Sequence, residues 1–330
     1  MKGIIYEILK VLFPLLLAAA ILWWMYRGFQ WDQVMTALQT EMSWTWMWLS
    51  LPFGILAQVF RAMRWRQSLE PLGKQPRNHT SICAIFLSYS SSLVVPRIGE
   101  VLRCGVLSRW DGIKLSHSVG TVVTERVVDM LLILLLTMLT IAFQIPVFVD
   151  FMSRTGMSLR SLLQGFSSVG YLVSFSCLLL ILAFCWILCR KYKLYTRTRS
   201  VLSDLLDGLL SVRKVKRPMV FLLYSVGIWL AYYLHFYLAF FCFNFTSNIG
   251  AMAALVAFVV GSFAVLVPTP NGAGPWHFAV KTVLVLYGVG NVDGAVFVLV
   301  VHTIQTLLVL LLGLYALLAL ALTPRMNKKM

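Results

Sequence analysis

The stretch Leu93-Val94-Val95-Pro96-Arg97-Ile98-Gly99-Glu100 decides the fold. An apolar run from about 80 to 95 enters it, a proline and a glycine interrupt it, and an amphipathic segment leaves it. Proline lacks the amide donor a helix needs, so the chain turns here. A second apolar run, about 250 to 267, ends in the same manner in Leu266-Val267-Pro268-Thr269-Pro270-Asn271-Gly272-Ala273-Gly274. The two interruptions occupy similar places in the two halves of a 330-residue chain.

The surroundings put both turns in a membrane. Sixty per cent of the residues are hydrophobic and 12% are charged, and repeated apolar runs match the roughly 30 Å hydrocarbon core. Six such runs, at about 9 to 26, 45 to 60, 118 to 143, 168 to 189, 218 to 242 and 293 to 322, read as transmembrane helices. The first follows Lys2 and continues past Ala18-Ala19-Ala20 into Trp23-Trp24-Met25, which marks a retained helix and not a cleaved signal. A net charge of +16 would suit nucleic acid if it formed one continuous face. Lys and Arg instead cluster in short segments beside apolar runs, where topology and anionic headgroups account for them. Nucleic acid is therefore not expected as a partner. Cys83, Cys104, Cys177, Cys185, Cys189 and Cys242 form no CxxC pair and no metal spacing, so they read as packing residues, with no cofactor expected.

Counting charges orients the helices. Arg61, Arg64, Arg66, Lys74 and Arg77 follow the second helix, and Arg190, Lys191, Lys193, Arg197 and Arg199 follow the fourth. The positive-inside rule assigns both groups to the cytoplasm as topology determinants, together with Lys2 and Lys10 at the N-terminus and Arg325, Lys328 and Lys329 at the C-terminus. Six complete crossings satisfy these assignments. Arg97, Arg103, Arg109 and Lys114 add a basic segment before the third helix, so residues 80 to 116 should enter and leave by the cytoplasmic face, and 250 to 291 by the external face. The expectation is an all-α polytopic membrane protein: six full transmembrane helices plus two opposed re-entrant helical hairpins. It forms a single membrane domain, 1–330, of the plasma membrane with both termini cytoplasmic. Its halves, about 1–165 and 166–330, form an inverted-topology repeat. Eight complete crossings would place the termini equally well. Residues 193–217 alternate basic groups with Leu202, Leu205, Leu206, Leu209 and Leu210, which suits a cytoplasmic amphipathic connector lying on the membrane.

Irregular backbone at membrane depth exposes amides and carbonyls, which is tolerated where they are buried in protein or line a wet cavity. Around the first turn stand Arg97, Gly99, Glu100 and Arg103, and the next helix carries Glu125, Arg126 and Asp129. Such charges are costly in lipid and face the protein interior. Arg126 and Asp129, three apart, can neutralise one another, whereas Glu125 and Asp129, four apart, place two carboxylates on one face. That face needs an outside cation, which Arg97 or Arg103 can supply. The second turn contains Asn271, Gly272 and Gly274, followed by His277 and Lys281, and the last helix adds His302. Half-helix N-termini after each turn aim N–H groups inward, and with Arg97, Arg103 and Lys281 they would suit a phosphate.

These residues resemble the lysylphosphatidylglycerol synthase transmembrane, flippase-like family over nearly the whole chain. Arg97-Ile98-Gly99-Glu100 with Glu125-Arg126-Val127-Val128-Asp129 is similar to its Arg-x-Gly-Glu and Glu-Arg-x-x-Asp pattern. Pro268-Thr269-Pro270-Asn271-Gly272-Ala273-Gly274 is similar to its Pro-x-Pro-Gly-Gly-x-Gly turn. Asn271 replaces a turn glycine, and His277 stands where the family commonly has Glu. The resemblance implies lipid translocation. Longer relatives carry a separate soluble aminoacyl-transfer domain, and none is expected here, with few residues after Leu322. The expected partner is a membrane lipid with an anionic headgroup: a phospholipid, an aminoacylated lipid or a polyprenyl-phosphate carrier. A homo-oligomer or a partner membrane protein is compatible with this. A flippase is the leading reading, and a membrane enzyme acting on a lipid phosphate or a non-catalytic membrane partner subunit are the alternatives.

Overall fold

The computed structural model describes residues 16–27, 31–72, 75–113, 115–155, 215–267 and 269–326. Every regular element among them is helical: α1 (Leu16–Tyr26), α2 (Trp31–Thr36), α3 (Trp44–Leu69), α4 (Asn78–Ser91), α5 (Ile98–Trp110), α6 (Leu115–Thr155), α7 (Pro218–Phe240), α8 (Gly250–Ala264), α9 (Pro275–Leu286) and α10 (Asn291–Leu322). Three of them hold segments long and apolar enough to cross a membrane, His117–Gln144, Pro218–Phe240 and Asn291–Leu322. Leu131, Leu134, Leu135 and Met138 on α6 and Leu310, Leu311 and Leu318 on α10 are exposed, as expected of side chains that face lipid. The chain is an all-helical, multi-pass membrane protein. The expected helix at 168–189 and most of the 193–217 connector lie outside the described residues.

Helix α3 departs from the sequence expectation. It was expected to end near 60, yet it runs 26 residues, to Leu69, and so carries Arg61, Arg64 and Arg66 inside the helix. The arginines do not end the span because Arg61 and Arg64 are neutralised within the protein, not solvated in a loop. Helix α7 packs antiparallel along α3, and small residues set how close the two approach. A Cβ on Gly54 would stand 2.9 Å from His235 Nε2, and one on Gly227 would stand 2.9 Å from the Phe60 ring. His235 Nδ1 hydrogen-bonds the Ser50 carbonyl at 2.8 Å, so this histidine ties α7 to α3.

Helices α4 and α5 pack as one hairpin, and α8 and α9 as another. Their arms are 14, 13, 15 and 12 residues long. At about 1.5 Å per residue each covers roughly 18–22 Å, well short of a hydrocarbon core of about 30 Å. Helix α10 shows how the hairpins are arranged, because it touches both in sequence order. Gly294 lies against Lys281 and Leu284 of α9. His302 and Thr306 bond Asn271 in the second hairpin's turn. Gly313 then meets Ser90 near the first hairpin's turn, Tyr315 contacts Phe86, and the Leu320 carbonyl accepts Trp110 Nε1–H from the far end of α5. The hairpins thus approach each other from opposite ends of α10, and their turns meet near its middle, where Arg97 Nη2 reaches the Leu266 carbonyl at 3.5 Å.

Each turn has its own local cause. At the first, Ser91 Oγ and Ser92 Oγ both donate to the Ser88 carbonyl, at 3.0 and 2.9 Å, beside the Ser92 amide, at 3.3 Å, so side chains reinforce the helix end. Arg97 then takes a left-handed conformation, φ 66°, before α5 begins. Gly99 permits the closure, since a Cβ there would lie 1.9 Å from the Ser88 carbonyl oxygen. At the second turn Asn271 takes φ 51°, Gly272 φ 73° and Gly274 φ 88°, and Pro275 opens α9 at a helix position that needs no amide donor.

Candidate functional site

The charged residues of α5 and α6 do converge, but the partners they find include two that the sequence reading set aside as topology signals. Arg61 Nη1 donates to Asp129 Oδ2 at 2.6 Å and Arg64 Nη2 to Asp129 Oδ1 at 2.7 Å. Arg103 Nη1 donates to Glu125 Oε2 at 2.7 Å, and Arg64 Nε stands 3.6 Å from Glu125 Oε1. Arg64, Arg103 and Glu125 have side chains at most 2% exposed. The pair of arginines three apart on α3 therefore answers the pair of carboxylates four apart on α6. That spacing match was the available signal, since a carboxylate pair on one buried face requires cations of matching rise.

The network is electrostatically lopsided. Three buried arginines, Arg61, Arg64 and Arg103, face two buried carboxylates, Glu125 and Asp129. Arg103 Nε and Nη2 and Arg61 Nε have no hydrogen-bond partner among the described residues. Uncompensated buried charge is costly, so the arginines are held by other means as well. The Arg103 guanidinium lies 4.7 Å from the Trp65 ring centre, and Trp65 Nε1–H is fixed on Thr121 Oγ1 at 2.9 Å. At the margin, Arg126 bridges Glu100 at 3.4 Å and Asp129 at 3.6 Å, with both Arg126 and Glu100 partly exposed. This pair is where the buried network meets its surroundings.

The second hairpin's residues form a separate cluster. His302 Nε2 lies 3.1 Å from the Asn271 carbonyl and 3.5 Å from Asn271 Nδ2. The two contacts require opposite roles of the nitrogen, and the shorter, with Nε2–H donating to the carbonyl, is the better bond. Asn271 Nδ2 also donates to Thr306 Oγ1 at 2.8 Å, so the turn is sewn to α10 by two bonds. His277 Nδ1 accepts the Gly274 amide at 3.3 Å. This is the N3-to-N-cap contact of a capping box, the place where Glu serves in other helices. The His277 and His302 rings lie 4.5 Å apart.

Two expectations of proximity fail. Arg97 supplies no cation to the carboxylates, because its left-handed backbone sends it across to the other hairpin. Lys281 joins neither cluster, since it lies on α9 beyond the turn, against Gly294 at the start of α10. No single phosphate therefore touches Arg97, Arg103 and Lys281 together.

Helical spans, opposed short hairpins and a buried ion network define a multi-pass membrane protein with an ionic interior. The chain belongs to the family described as the lysylphosphatidylglycerol synthase TM region, matched over residues 11–313. No curated protein and no solved structure matches it. Membership in this family implies a lipid-related function in the membrane.

Proposed function

We propose that this chain carries a phosphate-bearing lipid between leaflets, through a path that opens beside the Arg126–Glu100 pair. The observation that carries this reading is the cation surplus of the buried network held between α3, α5 and α6, with its Arg126–Glu100 margin partly exposed. A lipid phosphate arriving beside Arg126 adds a negative charge that offsets the surplus, so no bare anion enters a low-dielectric interior. The apolar, exposed side chains of α6 below Asp129 keep the acyl or prenyl tails in lipid. The hairpins are re-entrant elements of an inverted repeat, and rocking them about α10 opens the path alternately to each side. Arg66, Arg77, Arg109, Arg217 and Arg325 gather at the end formed by the close of α3, α5 and α10 and the start of α7. That basic end lies in the cytoplasm, with the chain in the plasma membrane.

Purified protein in liposomes, with headgroup-accessible probes on a phospholipid, an aminoacylated lipid and a polyprenyl phosphate, tests the proposal. At least one class should equilibrate faster between leaflets, and Arg126→Gln should slow it at least tenfold. Equal rates in protein-free liposomes for all three classes would overturn the reading.

A further inference from the structure

Helices α1 and α9 run side by side toward the end opposite the ion network: Gly274 lies against Ala18 and Ile21, Trp24 against Phe278, and Tyr26 against His277. Between them, lined also by Asn291 at the start of α10, lies a half-open cavity of about 460 Å³. This volume is within the roughly 300–1,000 Å³ of small-molecule sites. Its charged lining residues are Arg27 and Lys281, with no carboxylate among them. Neither cation forms an ion pair among the described residues, and the only aromatic contact of Arg27 among them is with its neighbour Trp23, at 5.6 Å. Asp293, the nearest acid in sequence to Asn291, folds back on Gly290 and is not part of the lining.

The rim is apolar and outward-facing: Trp24, Phe278 and Leu286 are each about half exposed. In a multi-pass membrane protein such a rim meets acyl chains. Arg27, at the close of α1, and Lys281, neither with an ion pair among the described residues, meet the headgroup layer. We infer that this cavity is a binding site for the headgroup of an anionic glycerophospholipid drawn from the leaflet at that end, its phosphate between Arg27 and Lys281 and its chains along Trp24 and Phe278. The site requires only that the chain lie in a bilayer, and it stands whether or not the protein transports lipid. It also gives Lys281 a role that the ion network does not.

Native mass spectrometry of detergent-purified protein titrated with phosphatidylglycerol tests the inference, with phosphatidylcholine and inorganic phosphate as the other arms. Phosphatidylglycerol should be retained in preference to phosphatidylcholine. R27Q/K281Q should weaken it about 30-fold, equivalent to about 1 kcal/mol per cation. V285W, which fills the cavity and leaves both charges in place, should also weaken it, whereas R109Q at the opposite end should not. Equal retention of the two lipids, unchanged binding in R27Q/K281Q and V285W, or full competition by inorganic phosphate would each overturn the assignment, the last by marking a small-anion site.

Discussion

Replacing Glu125 by Gln, alone and together with Arg103→Met, tests whether the buried ions act as one charge-balanced unit. The wild-type core holds one surplus positive charge, from three arginines against two carboxylates. Glu125→Gln raises the surplus to two and leaves Arg103, 2.7 Å away, facing a neutral acceptor. Removing one partner of a buried pair costs about 3–5 kcal/mol. Arg103→Met acts in the opposite sense, because it abolishes the surplus. It gives up a charge-assisted hydrogen bond of about 1.5–3 kcal/mol and a ring contact of about 0.5–2 kcal/mol. Against this it removes two buried donors without partners, each costing about 1–3 kcal/mol, and its apolar stem stays against Trp65. Losses and gains roughly cancel, so the net effect lies within about 1 kcal/mol of zero. The double variant restores the original surplus without the pair and should resemble Arg103→Met, so the coupling between the sites equals the Glu125→Gln cost, about 3–5 kcal/mol. SDS-driven unfolding in mixed micelles, followed by tryptophan fluorescence, measures all four states. Equal costs for the two single variants, or a double variant equal to their sum, would refute the reasoning.

Two further outcomes follow from backbone geometry. Gly99→Ala sets a methyl group against the Ser88 carbonyl and should cost about 3 kcal/mol in the same assay, the upper range of overpacking. Gly105→Ala, with open space around it, should gain about 0.5–1 kcal/mol, and a reversal of that order counts against the hairpin packing. Asn271→Gly keeps the left-handed turn and loses the Thr306 bond, a cost of about 1 kcal/mol. Asn271→Val should cost about 1–2 kcal/mol more, because a β-branched residue is strained there, and equal effects of the two would show that the turn is not left-handed in solution.

The elements themselves were legible in the sequence because lipid imposes a simple rule on composition. The apolar runs at 118–143, 218–242 and 293–322 correspond to the spans found, and Pro96 with Gly99 marked the first turn. The error at Arg61 and Arg64 came from the same rule applied too far. A charge count treats every arginine as solvated, and it cannot register a carboxylate 68 residues away that neutralises one. The candidate site was legible in residue type and not in grouping. Glu125 and Asp129 announced their need for cations through their four-residue spacing, yet which cations met it depended on how α3 packs against α6. Arg97 misled for a local reason, since a left-handed φ redirects its side chain and nothing in residue type records it. Lys281 misled because the sequence placed it after the turn without saying which neighbour its helix would face.

Helix α10 has a consequence for how this chain can vary. It holds Asn271 through His302 and Thr306, and Ser90 through Gly313, so the interval between Thr306 and Gly313 sets the phase between the hairpins. Inserting a single residue there would advance the helix by about 1.5 Å and turn it by about 100°, and one hairpin would lose its seat. Leu307, Leu310 and Leu311 in the interval are nonetheless exposed. These three positions are therefore free in composition while the segment is fixed in length, and tolerated variation there should consist of apolar exchanges without insertions or deletions.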